Sequence, residues 1–224
     1  KVIPASDRSI LVQFGDEISE DLHRQGFSFT QVLLKNPDKA IINISPGYNS
    51  VLVRLNHWVS IAEGTDVISM ALKKAVPVRG TKRRTIEIPV CYDDVFGPDL
   101  DRVSEHTGYE KDELIERHAS GTYLVYFMGF SAGFPYIGGM DESLDTPRLK
   151  TPRKTVPAGS VGIAGKQTGI YPLPTPGGWN LIGRTSLPLF DGSDPGNTPI
   201  RMGDRIRFYA INRDEFEKLG CPQS

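Results

Sequence analysis

The sequence predicts a small α+β domain followed by a mainly-β domain, and three observations carry that reading. Residues 1 to about 84 alternate between strand-like and helix-like stretches. From Thr122 onward, about seventy residues carry short apolar runs cut by Gly and Pro, with no helical period; such punctuation argues for a β-barrel or compact β-sandwich. Between the two lies the basic run Arg79–Arg84, which reads as a solvated linker. The predicted domains are therefore 1–84 and 85–224.

The elements follow in order. Ser9–Gly15 (SILVQFG) is a short β-rich run. Ser19 caps a helix that continues to Lys35 and is ended by Asn36-Pro37. The runs AIINIS and SVLVRLN flank Pro46-Gly47-Tyr48-Asn49 and read as a β-hairpin. A second helix has Thr65 as its cap, with Val67, Met70, Ala71 and Lys74 at helical spacing, and Pro77 stops it. Helices on one face of an antiparallel sheet are the natural packing. In the second domain, Thr85, Glu87 and Pro89 alternate with Ile86, Ile88 and Val90 as a strand. Asp99–Ala119 reads as two short helices broken at Gly108, and YLVYFM as a strand. The tail MGDRIRFYAI then NRDEFEKLG reads as a turn, a final strand and a short helix.

Composition excludes several functions. With 27 acids against 26 Lys and Arg, the formal charge of -1 gives no global attraction to nucleic acid or an anionic membrane. No apolar run approaches the ~20 residues of a membrane span, and the mixed polar opening carries no signal-peptide pattern. Cys91 and Cys221 lie far apart without CxxC spacing, which argues against a zinc or disulfide framework and for thiols in a reducing cytoplasm. No metal site is expected.

Two motifs tempt. Gly129–Gly133 (GFSAG) matches the G-x-S-x-G nucleophile elbow, but the elbow needs a helix next, and FPYIGG follows instead. All four histidines also precede Ser131, whereas the hydrolase order places one after it. Gly159–Thr168 (GSVGIAGKQT) resembles a P-loop with one residue too many between the glycines and Gln167 in place of the magnesium-binding hydroxyl. Its Gly-rich turns still leave open an anion nest made of backbone N–H groups. What survives is charge asymmetry. Between Thr146 and Phe190 there is no Asp or Glu, yet Arg148, Lys150, Arg153, Lys154, Lys166 and Arg184 lie there. Such a stretch suits a small anion, because arginine offers carboxylate or phosphate a bidentate fork. Gln167, Thr168, Ser160 and Tyr171 add neutral groups able to read an amide. The competing reading is a solvated basic face or an interface to an acidic partner. His118, at the end of the helical region, is either structural or a site acid/base.

The blocks YLVYFMGFSAGFPYIGG and TPRLKTPRKTVPAGSVGIAGKQTGIYPLPTPGGWNLIGRT, with the final GDRIRF, strongly resemble the family of 5-oxoprolinase B subunits. That family overlaps with allophanate hydrolase subunit 1 and the sporulation kinase inhibitor group. DRSILVQFGDEIS and PGYNSVLVRLN match its N-terminal part, so the resemblance covers nearly the whole chain. Ala132 and Thr175 depart from the family, which usually has proline and serine there. The resemblance implies a cyclophilin-like barrel for the second domain, and work with subunits C and A to open 5-oxo-L-proline to L-glutamate at the expense of ATP. The ATP, with magnesium, would be shared with those partners. On this reading Arg148 and Arg153 hold the substrate carboxylate or the transferred phosphoryl group. Lys154 and Lys166 neutralise phosphate, with Ser160 and Gly165 beside the nucleotide, while Gln167, Thr168 and Tyr171 orient the ring amide. The aromatics Phe127, Phe130, Phe134, Tyr136 and Trp179 look too many for one small core, and some are expected to face a partner. Two alternatives come with the same resemblance: an inhibitor that binds a sensor histidine kinase, and a subunit of an allophanate hydrolase or urea carboxylase-type carboxyltransferase.

Overall fold

The computed structural model describes residues 1–76, 83–194 and 196–220. The chain divides into two compact units, Lys1–Lys82 and Arg83–Ser224. Most of the basic run, Arg79–Lys82, lies outside the described residues, as does Cys221.

In the first unit, strands β1 (Val2–Ser6) and β2 (Ser9–Gln13) are followed by helix α1 (Glu20–Lys35), the hairpin β3 (Ile41–Pro46) and β4 (Ser50–Leu55), and helix α2 (Ile61–Lys74). The four strands form an antiparallel sheet in the order β1-β2-β4-β3. Ser19 caps α1 as expected, its side chain accepting the Leu22 N–H. Helix α2 begins earlier than the sequence predicts. Ser60 and Glu63 form a reciprocal capping box, which satisfies two orphan backbone donors at once. Thr65 lies inside the helix, where its hydroxyl donates to the Ile61 carbonyl. Alternate residues Ile10, Val12, Val51, Val53 and Leu55 pack against Phe29, Leu33 and Ile68 of the helices.

The second unit opens with β5 (Thr85–Cys91), α3 (Leu100–Thr107) and α4 (Lys111–Ser120). Gly108 separates the two helices, with φ of 77° in the left-handed region that favours glycine. Strands β6 (Tyr123–Met128), β7 (Pro135–Gly138), β8 (Arg153–Val156), β9 (Ser160–Ala164), β10 (Gln167–Ile170), β11 (Thr175–Gly177), β12 (Asn180–Arg184) and β13 (Arg205–Ile211) follow, then helix α5 (Arg213–Leu219). Seven strands close a barrel in the order β10-β7-β6-β13-β5-β12-β9, while β8 and β11 form a separate pair. All barrel pairs are antiparallel except β5 with β13, which runs parallel.

Period-two alternation splits the barrel residues into two buried clusters. Ile163, Ile170 and Ile182 belong to the main core. Their chain neighbours Ala164, Tyr171 and Leu181 belong to a second cluster with Phe134, Val156 and Trp179. Residues i and i+1 of a strand point to opposite faces, so the second cluster lies on the outer face, beside the β8–β11 pair. Cys91 is a buried free thiol, and burial raises its pKa. Among the described residues, no helix is long and apolar enough to cross a membrane.

Candidate functional site

The structure sorts the expected site residues into three places. His118 and Thr168 are in the barrel core, both fully buried. His118 Nε2 lies 2.9 Å from Thr168 Oγ1, and Nδ1 lies 2.7 Å from the Tyr92 hydroxyl. Thr168 Oγ1 donates its one proton to the Gly162 carbonyl at 3.1 Å. It can therefore only accept from the ring, which assigns the proton to Nε2 and makes Nδ1 the acceptor for Tyr92. Tyr123 completes the network by donating to the His118 carbonyl at 2.6 Å. Burial pulls the imidazole down to about 3, so it is neutral at physiological pH. This corrects the expectation of His118 as an acid/base and of Thr168 as a reader of a substrate amide. Each ring nitrogen already has a partner, and neither side chain is exposed.

The Gly-rich stretch is the second place, and it corrects the anion-nest expectation. The Gly159 N–H donates to Tyr171 O, Ser160 N–H to Pro157 O, and Gly165 N–H to Thr146 O. A nest needs those donors free. Ser160 is buried at the start of β9, and no helix follows Lys166, which sits in the turn just before β10. Lys166 itself is exposed and paired with Glu142 at 3.0 Å. Ser160, Gly165 and Lys166 therefore do not assemble a nucleotide cradle, and the residues present do not fit one there.

The third place gathers Arg148, Arg153 and Tyr171 around Trp179. The Arg148 guanidinium carbon lies 5.8 Å from the centre of the Trp179 ring, within cation–π range. Arg153 Nη2 donates to Asp99 Oδ1 at 2.7 Å, and Nη1 reaches toward the Trp179 carbonyl at 3.5 Å. Tyr171 is buried beside them. Burial raises its pKa, while the Trp179 backbone N–H donating to its phenol oxygen, and the charges of Arg148 and Arg153, act in the opposite sense. A Cβ at Gly177 would overlap the Tyr171 phenol, and one at Gly169 would stand 2.9 Å from the Trp179 ring and 3.0 Å from Phe134. Glycine at both positions lets the aromatics close up. Gln167 is half-buried at the start of β10, and Lys154 is exposed.

The aromatic expectation divides. Phe134 and Trp179 are buried, Phe127 stacks on Tyr136 at 4.4 Å, and Phe130 stands 62% exposed. Phe130 also has φ of 65°, a conformation that is a genuine outlier for a bulky residue. Its ring meets Phe134 and Tyr171 edge-on, at 5.4 and 6.5 Å. No helix follows Ser131, and its oxygen is buried without a hydrogen-bond partner, so no base activates it.

Sequence reasoning missed three residues here. Asp99 is nearly buried and accepts both Arg153 and the Leu181 N–H. Arg102 on α3 donates to Asn180 Oδ1 at 2.8 Å. Asn180, fully buried, donates in turn to Pro147 O and Ile163 O. The long segment between α3 and β12 hides these pairings, and only the absence of acids from Thr146 to Phe190 hints that Arg153 must find a carboxylate elsewhere.

Residues 1–200 match the family described as "Carboxyltransferase domain, subdomain C and D". The B subunit of 5-oxoprolinase from Bacillus subtilis (strain 168) is 36% identical over 221 residues, covering 94% of this chain and 92% of that protein. That of Escherichia coli O157:H7 is 43% identical over 183 residues, covering 82% of this chain and 74% of that one. Among solved structures, TTHA0988 superposes with a TM-score of 0.81 at 33% identity, covering 92% of this chain and 40% of that longer one. The Kluyveromyces lactis urea carboxylase shares the fold, with a TM-score of 0.78 at 20% identity over 97% of this chain and 22% of its own. The chain thus belongs to the carboxyltransferase subdomain C and D family, in its group of 5-oxoprolinase B subunits.

Proposed function

We propose that the chain is the B subunit of an ATP-dependent 5-oxoprolinase, active only with its partner subunits C and A in the cytoplasm, and that the Arg148–Arg153–Tyr171 face carries its part of the reaction. The observation that carries the reading is near end-to-end similarity to proteins named as 5-oxoprolinase B subunits. On this reading residues 1–84 and 85–224 act as separate domains, the second a cyclophilin-like barrel.

The lactam of 5-oxoproline is an unstrained amide, so water opens it only after activation. ATP supplies that activation when it phosphorylates the amide oxygen. The Gly-rich turns do not fit a nucleotide, so no ATP step is assigned to them. What this chain offers is positioning and charge neutralisation. Arg148, held over Trp179, presents its fork to the substrate carboxylate or to a phosphoryl oxygen. Arg153, anchored by Asp99, keeps its remaining N–H groups for the same anion. Tyr171, buried beneath this face, supports Trp179 and does not reach the substrate. Gln167, half-buried at the start of β10, orients the ring amide, and Lys154 adds long-range positive charge.

A second reading, a carboxyltransferase part, draws on similarity to fungal proteins: the yeast urea amidolyase is 22% identical over 246 residues, 13% of that protein. One assay separates the two. Glutamate release from 5-oxoproline with ATP is measured in the reconstituted complex with each component omitted in turn. Release that requires this chain supports the proposal, and release that persists without it overturns the proposal.

A further inference from the structure

We infer that Arg102, Arg148 and Arg153 together bind a phosphoryl-class dianion over Trp179 and Asn180 on the rim of the barrel. The inference rests on the reading above for Arg148 and Arg153. It adds Arg102, which that reading leaves unused, and commits the site to phosphate rather than to a monocarboxylate.

Three cations from two parts of the chain, α3 and the segment leading into β8, are anchored on two consecutive residues, Trp179 and Asn180. Arg102, on α3, donates Nε to Asn180 Oδ1 at 2.8 Å and directs Nη2 toward Pro147 O at 3.5 Å. Asn180 is itself immobilised, since its Nδ2 donates to Pro147 O at 3.0 Å and Ile163 O at 3.1 Å. Arg153, on β8, reaches the Trp179 carbonyl, and Arg148, just before β8, lies over the Trp179 ring.

The charge balance around them is one-sided. The carboxylate that joins the group is Asp99, whose oxygens are occupied by Arg153 Nη2 and the Leu181 N–H. Asp101, next to Arg102 in the chain, pairs with Lys111 at 2.9 Å, and Glu142 pairs with Lys166 at 3.0 Å. Three guanidinium groups against one carboxylate leave two positive charges. Elsewhere, Arg84, Arg117 and Arg213 each face a carboxylate. Arg102 and Arg148 are instead held by neutral groups, an amide oxygen and an indole face, so they are oriented without being neutralised.

That combination fits a ligand. Ordering a free arginine on binding costs conformational entropy, and neutral anchors remove part of that cost in advance. Two surplus charges and several planar N–H donors match the oxygens of a phosphate dianion. Lys150 and Lys154, exposed on the same segment, stay point charges on flexible stems. Inorganic phosphate, the terminal phosphate of a nucleotide and a phosphorylated substrate oxygen share the chemistry.

The test uses the full chain carrying Trp58→Phe, which leaves Trp179 as the single tryptophan. Its emission is titrated with inorganic phosphate, ATP and acetate at constant ionic strength. A saturable change with phosphate or ATP and none with acetate is expected, and saturation by ATP alone identifies a nucleotide as the source. Arg102→Gln should weaken binding by about ten- to a hundred-fold, as loss of a charge-assisted hydrogen bond does. Arg102→Lys, which keeps the charge and the fold, should fall between, and Lys150→Ala should bind as the parent does. The inference is overturned by acetate binding as tightly as phosphate, by the absence of saturation, or by parental affinity in Arg102→Gln. Binding is read without turnover, so its failure leaves the 5-oxoprolinase assignment standing, and failure of turnover leaves the phosphate site standing.

Discussion

Replacing Arg153 separates what that side chain does for the fold from what it does for a ligand. Its Nη2 donates to Asp99 Oδ1 at 2.7 Å while the other Asp99 oxygen accepts the Leu181 N–H at 2.6 Å. The Asp99 side chain is 8% exposed and that of Arg153 29%. The pair therefore sits between an exposed ion pair, worth ~0–1 kcal/mol, and a fully buried one, whose breaking costs ~3–5 kcal/mol. Arg153→Met, which strands a nearly buried carboxylate on one backbone donor, should cost ~1–3 kcal/mol. Lysine can still reach Asp99 with one N–H, so Arg153→Lys should lose at most ~1 kcal/mol. A lysine cannot hold Asp99 and an outward anion at once as a fork does. Activity of the assembled complex should therefore fall about 10- to 1000-fold, equivalent to ~1.5–4 kcal/mol of transition-state stabilisation. Urea unfolding of the isolated chain and kcat/KM for glutamate release supply the two numbers. Full activity in Arg153→Lys refutes the ligand role, and parental stability in Arg153→Met refutes the pairing as a support of the fold.

Three further outcomes follow from the packing and the buried network. Burial holds the His118 imidazole near 3 against an ordinary 6.5, so the unfolded chain binds more protons between those values and stability rises with pH there. The contribution is whole above about pH 6.5 and is lost as pH falls toward about 3, with ~2 kcal/mol gone by pH 5. Unfolding free energies at pH 7 and pH 5 should show a shallower drop in His118→Gln, and an equal drop in both proteins contradicts this. Gly169→Ala would push a methyl group against Trp179, Phe134 and the Pro135 carbonyl. It should cost ~1–3 kcal/mol in urea unfolding and shift Trp179 emission, and a silent substitution would show that the aromatics yield. Phe130→Gly removes a left-handed strain of ~1–3 kcal/mol at the expense of a mostly exposed ring. Its thermal midpoint should hold or rise, and a fall would mean that the edge contacts with Phe134 and Tyr171 hold the turn.

Local signals were legible and distant pairings were not. Ser19, Asn36-Pro37 and Gly108 end or begin helices by capping and backbone chemistry that a few neighbouring residues encode. The Ser60–Glu63 capping box was equally local, yet Thr65 hid it by offering a second hydroxyl nearer the apolar run. Strand β1 escaped notice because Val2–Ser6 is short, carries Pro4 and lies at the sheet edge, where proline is tolerated. The Gly/Pro grammar pointed to a barrel or sandwich, but closure depends on β5 pairing in parallel with β13, more than a hundred residues away. The site divides in the same way. The acid-free stretch marked Arg148 and Arg153, whereas Asp99, which pairs with Arg153, and Arg102, which reaches Asn180, come from a helical region with ordinary composition. His118 and Thr168 looked like site residues because a polar side chain in a core satisfied by Tyr92 and Gly162 carries no local mark of its burial.

The most direct test of the proposed site is Arg148→Gln in the reconstituted complex, because Arg148 makes no ion pair among the described residues and meets Trp179 through its charge. Its loss should lower the thermal midpoint of the isolated chain by no more than about 4 °C, since an exposed cation over a ring contributes only ~0.5–1 kcal/mol. ATP-dependent glutamate release from 5-oxoproline is then measured as kcat/KM beside the parent complex. The expected result is a fall of at least about tenfold with the complex intact. Parental kcat/KM in an intact complex would contradict the role given to Arg148 and remove this face from the reaction.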